Sequence, residues 1–509
     1  MPSPTNVLLL REGDEVAVAM RDISAGETIY PFGIVARDPI PFGHKVSLAS
    51  VAPGKPLHRL GQPIGLATEV IASGAHVHTH NMGFEQSLAE RQIGTRLSNA
   101  VRITSAEIPT FQGFRRRDGR AGTRNYVGIL TSVNCSSLVA RMIADHFRDP
   151  TVLRNFPGVD GVVALTHKSG CSVAEGGRSM GMLRRALGGY ARHPNFCGIL
   201  LVGLGCEDNQ IAALMRDERL EEGPLLRTLV MQDVGGTRSS VAAGIAAVEE
   251  MLAIASTARR EPIPASELTV GLQCGGSDSF SGITANPALG VAVDRLVACG
   301  GTAILSETPE IYGAENLLLE RAVSREVGEK LIGLLSWWED HTRDEPAGLD
   351  NNPSPGNKAG GLTTILEKSL GAVAKGGSTN LTDVIGYAEQ PSTRGLVFMD
   401  SPGFDPISAT GQVAGGANLI CFTTGRGSCF GCRPAPSLKL ATNTPMFLRM
   451  EDDMDINCGE ILDGTASLDE MGERILRAMI ATASGGETRS EQLGYGEDEF
   501  APWHVNAWL

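Results

Sequence analysis

"YVGILTSVNC", residues 126–135, is an apolar run that ends at once in a turn carrying a cysteine. The arrangement returns in "VVALTHKSGC" (162–171), "GILLVGLGC" (198–206) and "LTVGLQC" (268–274), with helical stretches such as "SLVARMIADHF" and "RSMGMLRRAL" between them. Strands covered on both faces read as unbroken apolar runs, and their alternation with helices makes mostly parallel sheets, so the pattern predicts βαβ units. Ligands of such sheets bind at the carboxyl ends of the strands. Cys135, Cys171, Cys206 and Cys274 therefore fall where chemistry is expected.

The first 95 residues read differently. "NVLLLREGDEVAVAMRDI", "KVSLASV", "PIGLATEVI" and "AHVHTHN" are short runs punctuated by Gly and Pro, which predicts a small β domain. Residues 96–112 form a polar connector, and residues 113–258 carry the first βαβ set. The charged, proline-bearing "ASTARREPIPASEL" (255–268) interrupts the pattern before a C-terminal α/β domain over residues 262–509. Three domains suit a chain of 509 residues at roughly 100–200 residues each.

Bulk properties exclude several classes of function. A net charge of −14 repels polyanions over most of the surface, which argues against nucleic acid as a partner. The longest apolar runs, such as "FCGILLVGLG" (196–205), fall far short of the roughly 18 residues that cross a bilayer, and the N-terminus lacks the pattern of a secretory signal. No membrane partner and a cytoplasmic location are expected. Ten cysteines in that reducing compartment predict thiols, metal ligands or catalysts instead of disulfides.

Candidate chemistry lies in the loops. In "GAHVHTHN" (74–81), His76, His78 and His80 alternate, so an extended chain puts all three imidazoles on one face, as a metal site requires; a solvated edge strand has the same pattern. "FRRRDGRAGTRN" (114–125) packs five arginines beside two glycines, either as a basic linker or as a clamp for an anionic substrate. Three Gly-rich polar loops follow: "LQCGGSDSFSGITANPALG" (272–290), "NPSPGNKAGG" (352–361) and "CFTTGRGSCFGC" (421–432). None matches a phosphate cradle or a dinucleotide fingerprint, and no G-x-S-x-G offers a serine nucleophile. The C-x-x-C of Cys429 and Cys432 has no second pair nearby to complete a zinc site. Basic side chains among glycines, with Cys and His placed like metal ligands, suit a small, oxygen-rich anion.

"GRAGTRNYVGILTSVNC", "SGCSVAEG", "GLGCEDNQ", "QCGGSDSFSGITANP", "NPSPGNKAGG" and "TTGRGS", in this order, resemble the altronate and galactarate dehydratase family over nearly the whole chain. The resemblance implies a multidomain α/β protein in which residues 1–95 form an N-terminal SAF (β-clip) domain, followed by two α/β domains with mostly parallel sheets. "HVHTHN" and "SETPEIYGAENLL" are more similar to the altronate enzymes. Galactarate or another aldonate or aldarate remains the alternative, as do a sulfolactate sulfo-lyase and a sugar-acid binding protein without catalysis. The chain departs from the sugar-acid enzymes at "TTGRGSCFGC", where they tend to read "TTGRGTPYG".

What the resemblance implies is loss of water from an aldonate, D-altronate first, to give a 2-keto-3-deoxy acid. It also implies ferrous iron, with Mn2+ as a substitute and an iron–sulfur cluster as the runner-up. His76, His78, Cys135, Cys171 and Cys206 are the expected ligands, in one site where the small domain caps the sheet. His167 or Lys358 is the expected base. Arg124 and Arg426 are expected to grip the carboxylate, and Ser277, Asp278, Asn286 and Asn357 to bind hydroxyls, although Asp278 also fits an N-cap. A homodimer is the expected assembly.

Overall fold

The computed structural model describes residues 5–84, 91–99, 103–346 and 348–505. The N-terminal part is all β, as the alternating runs foretell. A four-stranded antiparallel sheet includes β1 (Lys45–Ser47) and β2 (His76–Val77), registered so that Val46 faces His76. Apolar side chains of "VAVA" (16–19) serve two small cores, with Ala17 and Ala19 on one side and Val16 on the other. Residues 1–4 and 85–90 of the expected domain lie outside the described residues.

The second unit is a four-stranded parallel sheet of β3 (Tyr126–Thr131), β4 (Gly161–Leu165), β5 (Phe196–Gly203) and β6 (Leu226–Val230), in the order β4-β3-β5-β6. The helix over Arg178–Ala191 buries Met180, Leu183, Ala186, Leu187 and Tyr190, a stripe at helical spacing that covers one face. The helix over Thr237–Ala255 covers the other with Val248, Met251 and Leu252.

The third unit is a seven-stranded parallel sheet of β7 (Thr269–Cys274), β8 (Thr302–Leu305), β9 (Leu381–Ile385), β10 (Gly395–Met399), β11 (Leu419–Thr424), β12 (Ser437–Ala441) and β13 (Ile456–Asn457). Their order is β9-β10-β8-β7-β11-β12-β13. The chain builds outward from β7 on one side and returns to lay β11 on the other. The crevice outside the carboxyl ends of β7 and β11 is thus the topological switch point, where open parallel sheets take ligands.

Part of the 96–112 connector is structured. Thr110–Gly113 pairs antiparallel with Glu261–Pro264, so the two joints of the middle unit are strands of one small sheet. One apolar core then runs without a break from Leu130 and Leu187 to Leu272, Phe398 and Trp503.

Candidate active site

The cap sits on the third unit at its switch point. Lys45 Nζ donates to the Gly361 carbonyl at 2.6 Å and pairs with Glu367 at 2.9 Å. Arg59 pairs with Glu367 at 2.6 Å and also donates to the Ser279 carbonyl. Thr364 Oγ1 donates to the Ile64 carbonyl at 2.6 Å, and Ser279 Oγ to that of Gly43. These contacts press the strand-end loop after β7 and the 352–361 loop against the face of the cap that bears the histidines.

His76 stands 5.5 Å, ring to ring, from both His78 and His80, and a fourth imidazole joins them. His44 stacks on His78 at 4.8 Å, and its Nδ1 lies 3.0 Å from His76 Nε2. No sequence spacing links His44 to the row; the β1–β2 register does. The Nε2 of His44 lies 3.2 Å from the Ala359 carbonyl and that of His78 lies 2.9 Å from the Lys358 carbonyl, so both nitrogens act as donors. Burial pushes all three imidazoles down, that of His76 to about 3, so they are neutral at neutral pH. Neutral rings tied through one nitrogen to backbone carbonyls resemble metal-binding histidines. Two ligand nitrogens at bonds of about 2.1 Å and a right angle stand about 3.0 Å apart, the spacing of the His44–His76 pair.

Three loops meet beside them. Lys358 lies half-buried on the short helix Pro355–Ala359, whose start is fixed by the reciprocal bonds of Ser354 and Asn357. Asn357 spends its side chain on that cap and on the Ser277 carbonyl at 2.9 Å, so it positions the loop instead of meeting a hydroxyl. Arg426 is exposed in the loop after β11, with no ion pair among the described residues, and its backbone N–H is tied to the Gly276 carbonyl. Ser277 is buried in the loop after β7.

Besides that of Asn357, four expected roles are not what the structure shows. Arg124 is buried; it grips Glu491 at 2.6 and 2.8 Å and donates to the carbonyls of Thr123, Thr482 and Gly486, which leaves no edge for a substrate. His167 is buried with Nε2 on the Thr131 carbonyl at 2.8 Å and Nδ1 accepting from the Ser169 N–H. Burial holds it down at about 4, and neither nitrogen is free to take a proton. Asp278 accepts from the backbone of Phe280 and Ser281 and from Ser281, Thr442 and Asn443, so it is a loop hub. Asn286 bridges Gly371 and Thr423 inside the core.

Beneath the loop after β7 is a charged cluster of which the sequence pattern singled out only Cys274. Cys274 Sγ lies 2.9 Å from Lys375 Nζ and 3.5 Å from Glu310. Lys375 reaches Glu307 at 3.5 Å, and Lys368 pairs with Glu310 at 2.7 Å. Glu307 has left-handed backbone at φ 74° and an unbonded buried Oε1, a combination that gathers at functional sites. Burial, then the Glu310 charge, push its carboxyl up, and the same two causes raise Asp405 to about 6. Burial raises Glu310 as well, but Lys368 and Lys375 outweigh it and hold this carboxyl down. The cluster thus sets a carboxyl that is pushed up beside one that is held down, the pattern by which environments separate an acid from a base. Cys274, Glu307 and Glu310 also bring three donors within 4.8 Å, a possible metal site, although two ammonium groups already face it.

Cys135, Cys171 and Cys206 gather at the carboxyl edge of the second unit's sheet. Among the described residues no hydrogen bond or ring contact joins them to the histidines, whose partners all belong to the cap and the third unit. No three of the five expected ligands bring their donor atoms within 4.8 Å of one another.

A capped parallel sheet with its polar loops gathered at the switch point is the build of an α/β enzyme for a small molecule. The chain belongs to the altronate/galactarate dehydratase family. Residues 5–85 match the model of the altronate/galactarate dehydratase SAF domain, residues 113–256 that of the D-galactarate dehydratase/altronate hydrolase second domain, and residues 265–507 that of the D-galactarate/altronate dehydratase C-terminal domain. An altronate dehydratase of Bacillus subtilis is 37% identical over 96% of this chain and 97% of its own length. The altronate dehydratase of Escherichia coli is 34% identical over 95% and 96%. The beta subunit of a (2R)-sulfolactate sulfo-lyase from Chromohalobacter salexigens is 31% identical over 76% of this chain and 96% of that subunit.

Proposed function

We propose that the chain is a hydro-lyase that removes water from a sugar acid, with D-altronate the leading substrate and a 2-keto-3-deoxy acid the product. Full-length similarity to altronate dehydratases supports the reaction. The observation that carries it is the docking of the neutral cap histidines on the backbone of the Lys358 loop, which is tied through Ser277 to the strand-end loop that also holds the backbone of Arg426.

The proton beside a carboxylate is weakly acidic and hydroxide is a poor leaving group, so the site must supply a base, a cation for the enediolate and an acid or metal for the hydroxyl. Arg426 is the free guanidinium for the carboxylate. Lys358 is the half-buried amine to take the proton, and Ser277, whose carbonyl accepts from the neighbouring Asn357, is the hydroxyl assigned to the substrate. The His44 and His76 nitrogens, 3.0 Å apart, are the pair spaced to hold a divalent ion, Fe2+ first and Mn2+ as its substitute. When bound, that ion supplies the Lewis acid for carboxylate and hydroxyl oxygens. The chain is taken to act as a cytoplasmic homodimer. No helix among the described residues is long and apolar enough to cross a membrane.

The test is an anaerobic assay of altronate, galactarate, other aldonates and aldarates, and sulfolactate with ferrous ion, read as 2-keto acid. Altronate should give the largest kcat/KM. Release of sulfite from sulfolactate with no keto acid from any sugar acid would overturn the reading, and so would tight sugar-acid binding without turnover or bound iron.

A further inference from the structure

Asp405 heads the helix over Asp405–Ala414, which follows β10, and it is half-buried. Among the described residues no hydrogen bond or ion pair meets its carboxylate. The acids around it are committed. Glu310 pairs with Lys368 at 2.7 Å, Asp400 accepts from Thr308 and Trp338 at 2.7 and 2.9 Å, and Glu307 is buried against Lys375. Keeping a carboxyl half out of water without a partner costs stability, and groups kept so in a cleft are candidates for a functional role.

The loop after β7 sets its place. A Cβ on Gly275 would overlap Asp405 Oδ2 and Phe422 Cζ, so the carboxylate lies against that backbone, where a glycine leaves room. At the next position the Gly276 carbonyl accepts from the Arg426 N–H at 2.9 Å, and a Cβ on Gly276 would meet Arg426 Cβ at 3.4 Å. Ser277 follows, its carbonyl accepting from Asn357 Nδ2 at 2.9 Å. Three consecutive residues thus carry Asp405, Arg426 and the Lys358 loop, and two residues of extended chain span at most about 7 Å. Gly403 closes on the Lys358 loop from the other side, since a Cβ there would stand 2.7 Å from Asn352 Nδ2.

With Arg426 on the carboxylate and Lys358 taking the proton, hydroxide still has to depart with a proton of its own. We propose, on the dehydratase reading, that Asp405 is a further catalytic residue, the acid that meets the departing hydroxyl. The C2–H bond breaks and its proton goes to the Lys358 amine, while its electron pair becomes the double bond between C2 and C3. The C3–O bond breaks as the oxygen takes the Asp405 proton and leaves as water. The enol then moves its hydroxyl proton to C3, and exchange with solvent returns a proton from Lys358 to Asp405. No oxidant, reductant or co-reactant is needed. Burial, then the Glu310 charge, raise this carboxyl to about 6 against the pull of Lys368 and Lys375, so it holds and releases a proton near neutrality, where general acids act best.

Two leaving groups separate an acid from a residue that only shapes the loop. The full chain is given the sugar acid it turns over fastest, and the same acid with fluorine in place of the 3-hydroxyl, which departs as fluoride without a proton. Asp405→Asn should lose about a hundredfold or more in kcat on the hydroxy acid with KM little changed, yet release fluoride within about threefold of the wild-type rate. Asp405→Glu should recover part of the loss. The denaturant midpoint of Asp405→Asn should be no lower than that of the wild type, because the carboxylate it removes has no partner. Should that variant fail to fold, the wild type gives a second reading, in which heavy water slows turnover of the hydroxy acid more than release of fluoride. Equal losses on both leaving groups, no loss on either, equal slowing in heavy water, or a wild type that dehydrates the hydroxy acid but holds fluoride back would each overturn the role of Asp405 and leave the dehydratase reading standing. A wild type that gives neither keto acid nor fluoride refutes that reading, and the acid with it.

Discussion

Arg124 and Arg426 look alike in sequence, each a basic side chain among glycines, and the structure gives them opposite fates. Arg124 is a buried ion-pair partner whose loss strands Glu491, a carboxyl that burial pushes up but Arg124 holds down more strongly. Breaking a buried pair costs about 3–5 kcal/mol. Arg124→Gln should therefore lower the denaturant midpoint sharply while the folded fraction keeps its KM. Arg426→Gln should raise KM at least tenfold and leave stability within about 0.5 kcal/mol, as surface changes do. Denaturant titration beside steady-state kinetics separates the two. His167 makes the same point, since both of its nitrogens are spent on backbone groups. Residue type is visible in a sequence, but whether a side chain's hydrogen bonds are already satisfied is set by distant partners such as Glu491, 367 positions away.

At the scale of elements much was legible. Runs such as "VGILT" declare buried parallel strands because covered faces leave no alternation, and the strand-end cysteines follow from them. His44 was not legible, because cross-strand register is a matter of pairing and not of spacing. The Cys274–Glu307–Lys375 cluster is likewise assembled from three elements. The contact of cap and loop gives a prediction of its own. Gly361 has φ +95°, and a Cβ there would overlap the Gly43 carbonyl, next to His44. Gly361→Ala should push the 352–361 loop off the cap, weaken Mn2+ binding at the histidines by tenfold or more and lower kcat/KM. Gly356→Ala, whose Cβ meets only Ser354 Oγ at 3.7 Å, should leave both unchanged. Isothermal titration of the two variants with Mn2+ reads the difference.

For the molecule as a whole, the question is what keeps a small β domain on a large α/β body. The docking contact with the highest stake is Glu367, buried between Lys45 and Arg59 and bonded also to the Thr363 N–H and hydroxyl. Burial alone would raise its carboxyl, yet the two cations outweigh burial and hold it down at about 2, from an ordinary 4.5. A folded value below the unfolded one contributes stability that is fully present above pH 4.5 and is lost as pH falls toward 2; a shift of this size is worth about 3 kcal/mol. Hydrogen exchange at residues 43–47 and 76–78, corrected for its intrinsic pH dependence, should therefore accelerate between pH 5 and 3, before the sheets of the body open. Glu367→Gln leaves two cations buried without an anion, so its cap should exchange quickly at every pH and lose that slope. If wild type and Glu367→Gln show the same slope, the carboxylate is not what holds the cap. In that case the apolar contacts around Ile64 and Leu370 carry the docking, and the histidines would stay over the switch point in acid.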